Sequence, residues 1–136
     1  MATKLDPAIH ELACGPNYGV LATLMSDGWP QTGVVWVDSD GEHLLVNTEV
    51  HRQKFHNVSR DSRVSLVVWD RENPYREGEV RGRVLDTLRG PEAREHIDKL
   101  ARKYTGAPYA VPIQSERVIL CIEPVHQVPP HMCAGT

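Results

Sequence analysis

The sequence predicts a mainly β domain with flanking helices, built of six short antiparallel strands that close into a small barrel. Three observations carry that expectation. Ser26-Asp27-Gly28 and Ser39-Asp40-Gly41 interrupt successive runs rich in Val, Leu, Thr and aromatic residues, the mark of hairpins. Strands joined by turns this tight must run antiparallel. Six strand-like runs also stand against few helical ones, and barrel closure removes the edges that so few helices would leave open. The 136 residues, 40% of them hydrophobic, suffice for one core, so residues 1–136 are expected to form one domain.

The elements follow in order. In "DPAIHELACGP", Asp6 caps a short helix with Pro7 in its first position, and Gly15-Pro16 ends it. Ile9, Leu12 and Ala13 share one face. Strands are expected at about 18–25, 30–38 and 42–48, with Pro30 near a strand start, where a missing N–H is tolerated. A short helix near 51–59 has only Phe55 and Val58 as its buried stripe. "RVSLVVWD" (63–70) is a strand, "RENPYREGE" a loop, and 78–87 another strand. Pro91 opens the longest expected helix, 91–104, where Ile97, Leu100, Ala101 and Tyr104 recur at helical spacing. Glu95–Lys99 and Asp98–Arg102 add acid-before-base pairs. A Gly/Pro-rich loop leads to the last strand, "RVILCIEPVHQV", and a flexible tail is expected from about residue 126.

Fifteen Lys and Arg against eighteen Asp and Glu leave a net charge of −3, which argues against nucleic acid or an anionic membrane as main partner. Three scattered cysteines without a CxxC pair indicate neither a disulfide framework nor a zinc ribbon. No signal-peptide core or membrane-length apolar run occurs, so a cytoplasmic location is expected. His126, His131, Met132 and Cys133 bring soft ligands together that could hold copper. The Pro129-Pro130 break and the terminal position favour a plain tail, and no metal is expected. Hydrolase, Walker and Rossmann fingerprints are absent, and His56 has the character of a solvated surface histidine.

The one concentrated charge lies at "VNTEVHRQKFHNVSRDSR". Arg52, Lys54, Arg60 and Arg63 face one acid, Asp61, a local +3 in an acidic chain. A helix N-terminus already favours an anion, and placing His51, Arg52 and Lys54 there reverses ordinary helix design; only Glu49 is conventionally placed. Such a cluster signals a phosphate site. On the charges alone, a solvated helix face fits equally well.

The arrangement around the cluster is more specific. Asn47-Thr48, then Arg52-x-Lys54-x-x-Asn57, resembles the phosphate-binding joint of the pyridoxamine-phosphate-oxidase-like split-barrel proteins. "SDGWPQTGVVWV" and "DSRVSLVVWD" are similar to strands of that family. "NPYREGEVRGRV" and "EAREHIDKLARKYTG" resemble its small deazaflavin-using branch. The likeness runs from Tyr18 to about Ile122. It implies an FMN-binding type of split barrel, a homodimer with a flavin or deazaflavin at the subunit interface. The ring would lie along Pro30, Gln31, Thr32, Val34 and Trp36. Thr48, Arg52 and Lys54 would hold the phosphate, with Asn47, His51 and Asn57 nearby, and Trp69, Tyr75 and Arg76 would come from the other subunit. His51 and Gln53 depart from the family pattern, which has Gly or another basic residue there.

The implied activity is hydride transfer between reduced coenzyme F420 and a small organic substrate. The alternatives are an FMN-binding oxidoreductase and a non-catalytic carrier of F420 or flavin. The branch likeness selects F420; Arg60 and Arg63 suit its polyanionic tail but equally suit a solvated loop. Such cofactors need orientation and water exclusion more than a dedicated acid or base, so no catalytic side chain is assigned.

Overall fold

Residues 2–130 are described by the structure, a computed structural model. Asp6 accepts the Ala8 N–H at 2.8 Å and starts α1 (Pro7–Cys14), whose Ile9, Leu12 and Ala13 are buried. β1 (Tyr18–Leu24) and β2 (Pro30–Trp36) form a hairpin in which Gly28 supplies the positive φ of +89° that the turn demands. β3 (Asp38–Ser39) and β4 (Leu44–Glu49) form the next, α2 (Gln53–Arg60) follows, and β5 (Arg63–Asp70) pairs with the long β6 (Asn73–Arg89). α3 (Pro91–Thr105) precedes β7 (Arg117–Val128).

All pairings are antiparallel, in the order β2-β1-β5-β6-β7-β4-β3. The sheet curls into a half-barrel around Leu21, Leu44, Val46, Leu66, Val68, Val80, Leu120 and Ile122, with the helices on its flanks. Register shifts in β6 at Arg81/Gly82 and Val84/Asp86 bend it around β7. At Gly82 a Cβ would lie 2.1 Å from the Glu123 carbonyl oxygen, so only glycine fits that bend.

Four sequence expectations need adjusting. The expected run 30–38 is two strands, making seven rather than six. β2 and β3 lie at opposite edges of the sheet, so the chain must cross at Val37. There its N–H donates to Tyr104 Oη at 3.0 Å and its carbonyl accepts from Lys103 Nζ at 2.5 Å, replacing strand partners. "RENPYREGE" is mostly strand: only Arg71-Glu72 turn, and residues 74–76 bulge between the pairs Asp70–Asn73 and Trp69–Glu77. α2 begins at Gln53, leaving Arg52 at the cap and Glu49 in β4. Residues 126–128 are strand and not tail, because His126, Gln127 and Val128 pair with Arg81, Val80 and Glu79. No helix among the described residues is long and apolar enough to cross a membrane.

Candidate active site

The pairing of β4 with β7 sets Glu49 directly opposite Arg117. Both are buried, at 1% and 6% exposure, and their closest charged atoms are 3.4 Å apart. The other Glu49 oxygen accepts the Gln114 and Ser115 N–H groups at 2.7 and 2.8 Å, which ties the 106–116 loop to the end of β4. Burial opposes ionisation of Glu49. The two N–H donors and Arg117 outweigh it and hold the carboxyl below its usual range.

Arg52 reaches the same carboxylate from the α2 cap at 4.0 Å. Lys54, the second residue of α2 and half-buried, has no acidic partner among the described residues. Its pKa is lowered first by burial and then by Arg52 and Arg117. Three cations thus stand around one carboxylate that pairs with only two of them, Arg52 and Arg117. An anion placed among them would restore the balance that burial disturbs.

Two adjoining clefts, about 320 and 380 Å³ in volume, meet at Arg52 and Lys54, which line both. The larger adds Gln31, Thr32, His51 and Gln53. The smaller adds Val34, Trp36, Asn47 and Thr48, with Tyr18, Ile97, Tyr109 and Arg117. Its aromatic side is ordered by stacking: Trp36 lies parallel to Tyr104 at 5.1 Å between ring centres and edge-on to Tyr109 at 6.2 Å. Arg117 also sits over the Tyr109 ring at 5.2 Å. Burial pushes the Tyr104 phenol up to about 12, so it stays protonated and donates to the Asn17 carbonyl. Trp36 therefore belongs to the cleft side rather than to the barrel interior.

Nine expected site residues come together here: Gln31, Thr32, Val34, Trp36, Asn47, Thr48, His51, Arg52 and Lys54. Asn57 does not line either cleft. It is fully buried and donates to Thr23 Oγ1 at 3.0 Å and Gln31 Oε1 at 3.2 Å, anchoring α2 to β1 and β2. Pro30 opens onto a separate hollow beside Arg63, Arg81 and Arg83. Trp69, Tyr75 and Arg76 lie outside the clefts of their own chain. Trp69 packs near Tyr18, Tyr75 is 60% exposed, and Arg76 pairs with Asp70 and Glu11 at 3.5 and 3.7 Å.

Sequence reasoning missed Arg117, Tyr109, Tyr18 and Ile97. Arg117 could have been sought only as a partner for Glu49, and that partnership requires the β4–β7 register. Of the soft-ligand group, His126 lies in β7, whereas His131, Met132 and Cys133 fall outside the described residues. Among the described residues no cluster of three or more His, Cys, Asp or Glu could hold a metal ion.

The sequence profile of pyridoxamine 5'-phosphate oxidase matches residues 5–127, nearly the whole chain. This chain belongs to the pyridoxamine 5'-phosphate oxidase family. Its curled sheet with flanking helices is the split-barrel fold of that family, a flavin-binding group of oxidoreductase type. Among solved structures, an F420 reductase is 34% identical with a TM-score of 0.79, covering 91% of this chain and 98% of its own. A conserved hypothetical protein of Mycobacterium tuberculosis is 24% identical with a TM-score of 0.68, over 99% and 94% of the two chains. General stress protein 26 of Bacillus anthracis shares the fold at 17% identity and a TM-score of 0.64, over 88% of each chain. No curated protein matches the chain. For this family member the donor set suits a phosphorylated planar cofactor: cations at one end of an aromatic-sided cleft.

Proposed function

We propose that this chain is an F420-dependent oxidoreductase that transfers a hydride between the reduced deazaflavin and a small organic substrate. The observation that carries the reading is Lys54, half-buried and without an acidic partner among the described residues, next to Arg52 and Arg117 at an aromatic-sided cleft. The 34% identity to an F420 reductase supports F420 over FMN as the occupant. FMN is the alternative, supported by the family profile.

Thr48, Arg52 and Lys54 would hold the phosphate, with Asn47 and His51 beside them and Asn57 fixing Gln31 from behind. The ring would lie along residues 31–36, since Pro30 faces the separate hollow. A bound flavin or deazaflavin supplies the hydride chemistry, so the protein needs only to orient the ring and exclude water. Both clefts are open to solvent on one chain, which supports completion by a second copy. Trp69, Tyr75 and Arg76 of that copy would close them.

The test is absorbance after incubation with F420 or FMN followed by dialysis. Retained deazaflavin absorbance, then substrate-dependent oxidation of reduced F420, is expected. Protein emerging free of both cofactors would remove the assignment, and tight binding without turnover of any substrate would favour a carrier. Light scattering at micromolar concentration should report a dimer.

A further inference from the structure

Behind the smaller cleft runs a hydrogen-bond chain whose direction is dictated by chemistry. Arg117 Nε can only donate, so the Asn47 side-chain oxygen accepts that bond, at 2.8 Å. The Asn47 amide nitrogen must then donate, and it faces the Ala93 carbonyl at 2.9 Å and His96 Nδ1 at 3.1 Å. Nδ1 therefore carries no proton. The neutral ring keeps its proton on Nε2, which donates to Asp38 Oδ2 at 3.0 Å. Lys99 Nζ donates to the same oxygen at 3.1 Å. Asp38 and His96 are 4% and 9% exposed, and neither lines the cleft that Asn47 and Arg117 border.

No packing requirement explains a polar chain here. On α3, position 96 belongs to the same buried stripe as Ala93, Ile97 and Leu100, where an apolar residue would serve. The chain instead crosses from β3 through α3 to β4 and β7, and it ends on a guanidinium at the cleft.

We propose that His96 is a positioning residue for the anion-binding cleft: oriented by Asp38, its unprotonated Nδ1 holds the Asn47 amide, and through it the Arg117 guanidinium, in the orientation that receives an anionic ligand. This rests on the reading of the cleft given above. Protonation of His96 would set a ring N–H against the Asn47 NH2, donor against donor. The amide would have to turn over, its oxygen would leave Arg117, and the guanidinium would fall back on Glu49, 3.4 Å away. The charged groups around the ring are Asp38 on β3, Lys99 on the same helix and Lys103, whose charge acts on Asp38. Beyond Asn47 stand Arg117 on β7 and Glu49 on β4.

The test uses the full chain, with F420 and FMN as probes. A long-range 1H–15N spectrum of the ligand-free protein at neutral pH should show His96 as the Nε2–H tautomer; an Nδ1–H ring or an imidazolium overturns the proposal. His96→Leu should weaken binding of the probe about tenfold, the equivalent of one charge-assisted hydrogen bond. His96→Gln, which keeps a polar group toward Asp38 and should fold if the leucine variant does not, should lose less. The ratio of variant to wild-type Kd should fall toward one as the pH is lowered, because acid removes the same contact from the wild type. Protonation of the ligand phosphate or of His51 affects both proteins and cancels in that ratio. A pH-independent ratio means ordinary packing and overturns the positioning role. So does an unchanged Kd in the His96 variants while Lys54→Ala still loses affinity, a result that leaves the cleft reading standing. Unchanged affinity in Lys54→Ala as well overturns both.

Discussion

The inner faces of β1, β5 and β6 and the junction of β4 with β7 are both buried, but different physics holds them. Leu21, Leu66, Val68 and Val80 pack without direction, each with many neighbours that share the loss if one is trimmed. Asn47, Glu49, His96, Arg117 and Asp38 depend on bonds with fixed donors and acceptors. Removing one partner strands another in a dry place. The first region specifies a shape; the second specifies one arrangement of charge within it.

The sharpest way to break this contrast is Glu49→Ala. It leaves Arg117 buried and unpaired and unties two loop N–H groups, so it should cost about 3–5 kcal/mol in urea denaturation. Adding Arg117→Met should recover most of that loss, because the penalty belongs to the stranded charge and not to missing bulk. Failure of the second substitution to rescue would mean that Glu49 acts mainly through the loop. Leu66→Ala, the apolar counterpart, should cost about 3 kcal/mol through its cavity, and no second polar-to-apolar change should rescue it.

Lys54→Ala separates stability from binding. Its half-buried ammonium has no acidic partner among the described residues, so melting should change by under about 0.5 kcal/mol. Affinity for F420 or FMN, followed by fluorescence titration, should fall by about 1.5–3 kcal/mol, roughly ten- to hundredfold. Arg52→Ala should behave likewise, and rising salt should weaken wild-type binding more than that of either variant. The smallest expected effect concerns pH. Burial opposes ionisation of Asp38, but hydrogen bonds from His96, the Ser39 N–H and Lys99 hold its pKa below the usual carboxylate range. A carboxylate depressed in the folded state contributes stability that is present above its unfolded value of about 4 and is lost as pH falls. Denaturation below pH ~4 should therefore be shallower in Asp38→Asn than in the wild type.

These two regions also differ in how far they can be read from sequence. Hairpins, the amphipathic helix with Ile97 and Leu100, and the alternating strands follow from local periodicity and turn chemistry, which one stretch of chain carries by itself. The basic joint is similarly local, so Arg52 and Lys54 are visible as a cluster. The break of one expected strand into β2 and β3 is not visible, because Val37 leaves the ladder only to meet Tyr104 and Lys103, far along the chain. Glu49 looks like an acid in a first helical turn until the β4–β7 register places Arg117 opposite it.

The sequence by itself determined the succession of helical and strand-rich runs, the antiparallel hairpin of β1 with β2 and the location of the positive charge, because short-range sterics and hydrophobic period act within a few residues. Only the tertiary structure decided which cations keep a counter-charge, which aromatics face the cleft, and that His96 turns a donor to Asp38 and an acceptor to Asn47. Those outcomes depend on distances of a few ångströms between residues dozens of positions apart. Coulomb and hydrogen-bond energies change steeply over such distances, whereas the spacing of residues along the chain leaves them undetermined.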